Sequence, residues 1–558
     1  MLPKKIQTAF VATLLLGFQS QAQLTVQSGA TFFMQTGSQV TVQGNVDNAG
    51  TLNNDGSLRV QGNYSNTGTY TGVGVAGVLE MYGSGNANLA PGSSPIANLL
   101  INKAVAGDVV TLTASTTVNN GFTLTNGIFT TNPTITPAVA LISPAAAPYT
   151  FAAGKEVIGS VRRTGWANGT ARVFNQANML VTTNAGTAPT DVTVTMIPGG
   201  DPTQTEREVK RKYNFAQTGG TGFTADVRFP YLTGELNVAS NVNNENNLVP
   251  WRLAGAEWNA RTTNVTRNAA IDWVNTTGIA ATELLQEWKL ADPNYTMNVT
   301  AYLRANWNNA ALLMRNTLNT GNLIPLAQPY NAAPFNYTGT ESVVSIPNAN
   351  IVDWVLVELR KPASGLPADA VIGTLIGRKA GFILTNGTVV DLDGVTPMLL
   401  PISKQGTGNF IVVKHRNHVS AMSFAKASNV TADFSNNFSS LANVYQKPGA
   451  TSLPVALLPG NATLYGLWQG DANGNGAVTA ADISLINTVF IGPIAGNTNV
   501  YNVRDINMDR NVTATDLSLA NGAFLGAVNT STSRNANTSR PVRKPVESHV
   551  PSESTTVE

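Results

Sequence analysis

Val42-Gln43-Gly44-Asn45 recurs as Val60-Gln61-Gly62-Asn63, and Asn48-Ala49-Gly50-Thr51 recurs as Asn66-Thr67-Gly68-Thr69, both at a step of 18 residues. Val26-Gln27-Ser28 lies 16 residues before the first copy. Each unit is a short alternating run closed by an Asn-x-Gly turn, the pattern of a strand with one face turned inward. A near-constant step between such units points to stacked parallel rungs, in which each rung pairs with its neighbour and asparagines stack at the corners. A series of plain hairpins is the other reading of the same turns, and the constancy of the step favours the stack. The spacing therefore predicts a parallel β-solenoid over residues 24–150, closed by the breaker Ala145-Ala146-Ala147-Pro148.

Outward from that block, the chain begins Met1-Leu2-Pro3-Lys4-Lys5, continues as an apolar run from Ile6 to Phe18, and leaves through Gln19-Ser20-Gln21-Ala22-Gln23. A basic start, a short apolar core and a small-residue exit are the parts of a Sec-type signal peptide, assigned to residues 1–22. The apolar run falls short of the roughly 20 residues that span a bilayer. Nothing further along is apolar enough for a transmembrane segment, so the expected location is extracellular or on the outer cell surface. The rung pattern resembles the repeats of filamentous-haemagglutinin and autotransporter adhesins, which implies a projecting or adhesive role.

The chain has 558 residues, no cysteine, three histidines and a formal net charge of +2. Charged residues make up 12%, against roughly 25% in ordinary globular chains. No basic field is available for nucleic acid. The missing cysteines exclude disulfide staples and a lipid-anchored cysteine, and leave little for thiol or zinc chemistry. Stability has to come from large β cores or from bound metal.

Residues 151–290 read as a β-sandwich-like domain with strands at Arg172-Val173-Phe174 and Val192-Thr193-Val194-Thr195-Met196. The charged run over 203–212 is read as a solvated loop. Residues 295–450 read as a second β-sandwich, with strands at 297–303, 351–359 and 410–414. Apolar residues occupy both parities of Val352-Asp353-Trp354-Val355-Leu356-Val357-Glu358-Leu359, as in a strand covered on both faces. Together with Val390-Asp391-Leu392-Asp393-Gly394 and Lys414-His415-Arg416-Asn417-His418, that strand resembles a sandwich module of secreted, multi-domain surface proteins of Gram-negative bacteria. Residues 528–558, rich in Ser, Thr, Asn and Pro, read as a disordered tail. That tail does not resemble a type IX sorting domain.

The chemistry lies in residues 464–527. Calcium takes six to eight hard oxygens from a twelve-residue loop, with side chains at positions 1, 3, 5, 9 and 12 and a carbonyl at 7. Asp471-Ala472-Asn473-Gly474-Asn475-Gly476-Ala477-Val478-Thr479-Ala480-Ala481-Asp482 fills those positions, with glycine at 6. Asp505-Ile506-Asn507-Met508-Asp509-Arg510-Asn511-Val512-Thr513-Ala514-Thr515-Asp516 fills them 34 residues later, with Arg510 where the glycine stood. Metal-free Asn/Asp turns are the bland alternative, and the duplication favours metal. Apolar positions follow each loop at helical spacing: Ile483, Ile486, Val489 and Phe490, then Leu517, Ala520 and Phe524.

This pair of loop–helix units, with Asp rather than Glu at position 12, resembles a type I dockerin. The resemblance implies two Ca2+ sites, one held by Asp471, Asn473, Asn475, Thr479 and Asp482 with the carbonyl of Ala477. The other is held by Asp505, Asn507, Asp509, Thr513 and Asp516 with the carbonyl of Asn511. Arg510 in a left-handed position costs on the order of 1 kcal/mol. Asn475 removes a charge from the first site, so both ions are expected to bind more weakly than in an intracellular buffer. A dockerin also implies a cohesin-like partner, recognised through positions 10 and 11. Here those are Ala480-Ala481 and Ala514-Thr515, unlike the hydroxyl pairs of well-known cellulosomal dockerins, so docking on the neighbouring β domain is an equal expectation.

The remaining candidates favour structure over catalysis. His415 and His418, three apart in a strand, should point to opposite faces and share no metal. Asp391 and Asp393 suit a hairpin turn better than a carboxylate pair. Trp251, Trp258, Trp273, Trp288, Trp307 and Trp354 suit sandwich cores better than a platform for surface glycans. Between residues 24 and 150 the only acids are Asp47, Asp55, Glu80 and Asp108, poor material for glycoside hydrolysis. No nucleophile elbow, zincin motif or phosphate loop occurs. The expectation is a non-enzymatic surface or adhesion protein, with a glycan-binding or polysaccharide-degrading component as the alternative.

Overall fold

Short strands stacked rung on rung, three to a rung in the lower rungs, begin the computed structural model, which describes residues 22–72, 76–132, 138–199, 208–236, 244–424, 433–450, 453–490 and 497–524. The expected signal peptide, residues 203–207 of the charged run and the C-terminal tail lie outside the described residues. The rest of the run is no solvated loop, since Arg211 opens a strand and is buried between Glu156 and Glu235. The protein is mainly β. Its chain divides into two compact units, one of residues 1–200, 210–235 and 264–288, the other of residues 201–209, 236–263 and 289–558.

In the first unit the solenoid is present, and its pairing is parallel throughout the stack. One face runs Leu24–Val26, Val46–Asn48, Tyr64–Asn66, Ala87–Ala90, Val109–Leu112 and Ile128–Thr130. A second runs Gln39–Val42, Ser57–Val60, Val78–Gly83, Ile96–Lys103 and Thr116–Asn126. A third holds Thr31–Met34, Thr51–Asn54 and Thr69–Thr71. Inward residues such as Val46, Leu52, Leu58, Val60, Leu79 and Ile101 are fully buried, which is why strands of three or four residues suffice. The corner asparagines do ladder: Asn48 Nδ2 donates to Asn66 Oδ1 at 2.7 Å, and Asn66 Nδ2 to the carbonyl of Pro91 at 2.9 Å. Gly68 sits where a Cβ would come within 2.2 Å of the carbonyl oxygen of Gly50 one rung below, so the rung spacing itself requires glycine there.

Val157–Thr164 ends the stack, pairing parallel with Ala140–Pro144 and antiparallel with Asp191–Pro198. A second antiparallel sheet of this unit runs Arg172–Val173, Leu180–Asn184, Thr224–Pro230, Trp273–Ala280, Val265–Asn268. The two strands anticipated in 151–290 thus fall in different sheets.

The second unit is built round Ile351–Arg360, buried at all ten positions. It is the middle strand of a five-stranded antiparallel sheet in the order Val389–Val390, Leu375–Leu384, Ile351–Arg360, Phe410–His415, His418–Met422. A three-stranded sheet places Asn294–Thr300 between Met398–Pro401 and Asp433–Asn437. Two acids lie on the buried strand, and each is compensated by groups of Phe410–His415 or its turn, with Arg360 of the same strand added for Glu358. Glu358 meets Arg360 and Lys414, and Asp353 meets Arg416 and His415. The helices Ala480–Asn487 and Ala514–Ala523 complete this unit. No helix among the described residues is long and apolar enough to cross a membrane.

Candidate metal centre

Local sequence fixes both loops in one conformation. Thr479 caps the helix Ala480–Asn487 and Thr513 caps Ala514–Ala523, each in a capping box whose third helical residue is the loop's twelfth, Asp482 or Asp516. Positions 4 and 6 are left-handed in both loops, as Gly474 and Gly476 in the first (φ +68° and +89°) and Met508 and Arg510 in the second (φ 55° and 82°). Arg510 was legible from the motif as a departure; Met508 was not, because the loop consensus marks only position 6.

The internal bonds then agree loop for loop. Position 1 accepts the backbone N–H of position 6, Gly476 to Asp471 Oδ2 at 2.8 Å and Arg510 to Asp505 Oδ2 at 2.8 Å. Position 3 accepts from 5, and 5 from 7, each at 3.0 Å in both copies. Position 12 accepts from the N–H of position 3 and from the N–H and hydroxyl of position 9. These bonds draw the side chains at positions 1, 3, 5, 9 and 12 into one compact network in each loop. Asp471, Asp482, Asp505 and Asp516 are almost wholly buried.

Four carboxylates buried in one small module need compensation. Asp471 Oδ1 is buried and makes no hydrogen bond. Burial, then the charge of Asp482, pushes the Asp471 carboxyl well above its ordinary range. Burial likewise pushes Asp505 up to about 7 against the pull of Arg416, and raises Asp516. Carboxylates held in that state, ringed by amide, hydroxyl and carbonyl oxygens, are the donor set of a hard cation. No three acids, histidines or cysteines among the described residues suffice for a metal by themselves, so amides and carbonyls have to complete each sphere. The residues fit calcium, which would neutralise the buried charge.

The helices close over a small apolar core of Ala472, Ile486, Ile506 and Ala520, with Ile483, Leu485, Leu517 and Leu519 packed on it. Phe524, anticipated as part of that stripe, is exposed, because its helix has ended at Ala523. Phe490 ends the short 3-10 turn Thr488–Phe490 that follows the first helix.

The module is seated on the sandwich. The Tyr501 hydroxyl donates to Asp353 Oδ1 at 2.8 Å, and the Arg416 guanidinium lies 4.2 Å over the Tyr501 ring. Arg416 Nε donates to Asp353 Oδ2 at 2.8 Å and its Nη1 to the carbonyl of Asn502. Val419 packs with Val478 and Ala523, and its N–H donates to the carbonyl of Trp468 at 2.8 Å. The Arg510 side chain lies against Gly321. Docking on the neighbouring β domain, one of the partners expected from sequence, is thus realised within this unit.

The two histidines correct the parity argument. His415 and His418 flank a two-residue turn and pair across the ladder, so their rings face each other with Nδ1 atoms 3.1 Å apart. The proton positions follow from one carbonyl. Asn417 must turn Nδ2 to the Asp505 carbonyl (2.7 Å), so its Oδ1 accepts from His418 Nδ1 (2.8 Å). His415 Nδ1 is then an acceptor and its Nε2 donates to Asp353. Both rings are neutral, consistent with burial depressing their pKa values.

The other candidates are engaged elsewhere. Asp391 pairs with Lys379, and Asp393 closes a turn through the N–H groups of Val395 and Thr396. Trp251, Trp288, Trp307 and Trp354 are core residues. Trp258 and Trp273, half-buried, stack under Lys289 and Arg228. In the solenoid Glu80 pairs with Arg59, Asp47 accepts from Gln23 and Asp108 from the N–H of Gly85.

No curated protein and no solved structure matches this chain. Residues 469–525 match the dockerin type I domain, so the C-terminal part of the chain carries a dockerin module.

Proposed function

We propose that this protein is an exported, non-catalytic component of a bacterial surface, in which a β-solenoid projects and the dockerin module binds two calcium ions. The observation that carries the reading is the hydrogen-bond pattern that the two loops share around buried carboxylates, one with an oxygen that makes no hydrogen bond. Calcium would supply the positive charge that those oxygens lack. Asp471, Asn473, Asn475, Thr479 and Asp482 with the carbonyl of Ala477 hold one ion. Asp505, Asn507, Asp509, Thr513 and Asp516 with the carbonyl of Asn511 hold the other. The apolar run after the basic N-terminus supports export. Ala480, Ala481, Ala514 and Thr515 are all exposed, so a cohesin-like partner has access to positions 10 and 11 while the module stays seated on the sandwich. A polysaccharide-active role gains no support from the acids and tryptophans, whose polar or stacking groups are already engaged.

Equilibrium dialysis of the full chain against calcium should return two ions per chain. Chelation should lower the melting temperature and open 469–525 to protease. An unchanged melting temperature and unchanged cleavage on chelation would refute the reading.

A further inference from the structure

Asn417 lies between the two calcium loops. It sits at the turn between Phe410–His415 and His418–Met422 and is fully buried. Its carbonyl accepts the N–H of Gly470 at 3.0 Å, and Gly470 immediately precedes Asp471, the first ligand of loop one. Its Nδ2 donates to the main-chain carbonyl of Asp505 at 2.7 Å, the first ligand of loop two. One residue of the sandwich thus touches the position-1 region of both loops. Its neighbour Arg416 reinforces the second contact. The guanidinium binds Asp353 on the central strand, the ring of Tyr501 and the carbonyl of Asn502, three residues before Asp505.

A carbonyl that is fixed at position 1 fixes where the adjoining side chain starts, and a ligand displaced by a few tenths of an ångström weakens a calcium sphere. The same hairpin tip is anchored in the sheet by Asp353, which His415, Arg416 and Tyr501 all meet. Loading either loop therefore pulls on one shared element.

We infer that Asn417 is a positioning residue that couples the two calcium sites to each other and to the β-sandwich, making the sandwich hairpin a structural part of the dockerin module. The inference rests on the calcium reading above. Its consequence is that the ions bind and leave as a pair, and that their release is held back by the seating of the module.

The test uses the full chain loaded with calcium and mixed rapidly with a fluorescent chelator. The unaltered protein should release both ions in one slow phase. Asn417→Ala should split release into two phases and speed it about tenfold, the order expected for one buried hydrogen bond to a polar carbonyl and the adjustment it permits. Tyr501→Phe, which leaves the fold's apolar contacts in place, should accelerate release by a few-fold. In both variants the gain in melting temperature on adding calcium should shrink, whereas a purely structural defect would lower the melting temperature equally with and without calcium. Single-phase release at the original rate in both folded variants would overturn the coupling alone. Failure of the unaltered chain to bind calcium would overturn the calcium reading and the coupling together, and so distinguishes the two failures.

Discussion

Replacing Asp353 by asparagine should destabilise the second unit by about 3–5 kcal/mol, the scale of removing one partner from a buried ion pair. The Asp353 side chain is fully buried and that of Arg416 nearly so. Asp353 Oδ1 accepts from the Trp354 N–H and the Tyr501 hydroxyl, both at 2.8 Å. Oδ2 accepts from Arg416 Nε at 2.8 Å and His415 Nε2 at 3.1 Å. An asparagine has one amide end, and whichever way it turns, that end faces two donors. The guanidinium also loses its counter-charge. Burial, outweighed by Arg416 and the His415 hydrogen bond, holds the Asp353 carboxyl below the usual carboxylate range, so the charged form is the one to be replaced. With a urea m-value of about 3 kcal/mol/M for a unit this large, the midpoint of the transition that exposes Trp354 should fall by roughly 1–2 M. The double variant Asp353→Leu with Arg416→Met removes both charges, and should recover at least about 2 kcal/mol of the summed single losses. A midpoint shift below about 0.3 M in Asp353→Asn, with unchanged circular dichroism, would refute the argument that this pair holds module and sandwich together.

Acid should act through the histidines. Burial lowers the pKa of His415 and of His418 in the folded chain, so the stability they contribute is present above the unfolded value of about 6.5 and is lost as pH falls below it, by up to about 1.4 kcal/mol per pH unit for each ring. Melting curves between pH 7.5 and 5.5 should show this loss, and His418→Gln should halve it. Gly68→Ala forces a methyl to within 2.2 Å of a backbone oxygen and should cost about 1–3 kcal/mol, whereas Gly107→Ala, which meets nothing within 4 Å, should leave the solenoid's urea midpoint in place. At position 510 glycine relieves roughly 1 kcal/mol of left-handed strain that alanine keeps. Arg510→Ala should therefore melt below Arg510→Gly, since both lose the side chain lying on Gly321.

The solenoid was readable where its step is constant and unreadable where it is not. Gln39 pairs with Ser57, Val46 with Tyr64 and Thr51 with Thr69, all at the step of 18 seen in the repeated motifs. Higher in the stack Ser57 pairs with Val78, Ala87 with Val110, and Tyr64 with Leu89. What the stack conserves is the pairing of inward residues, while the corners absorb residues at little energetic penalty because they lie outside the ladder. Sequence periodicity sees chain length and so loses the repeat once the corners vary.

The calcium loops were legible because their chemistry is local: twelve residues supply the oxygens, the turn and the helix cap. Their docking on the sandwich was expected, but the residues that make it were not legible, since Asp353 and Tyr501 stand 148 residues apart. Yet the apolar run containing Asp353 and Glu358 did pose a question that parity left unanswered. Two carboxylates on a strand covered on both faces must each find compensating cations or donors, and the neighbouring strand and its turn supply the cation Lys414, the neutral donor His415 and the cation Arg416 in succession. Strand alternation sends Lys414 to the face of Glu358 and His415 to the face of Asp353. The alternation holds only up to His415, because the chain turns at Arg416 and Asn417. Counting on to His418 as though the strand continued put that ring on the wrong face and hid the cluster. The residues that tie the calcium module to the sandwich are those of the turn, where a two-residue period no longer describes the chain and the burial of an unpaired acid is the stronger guide.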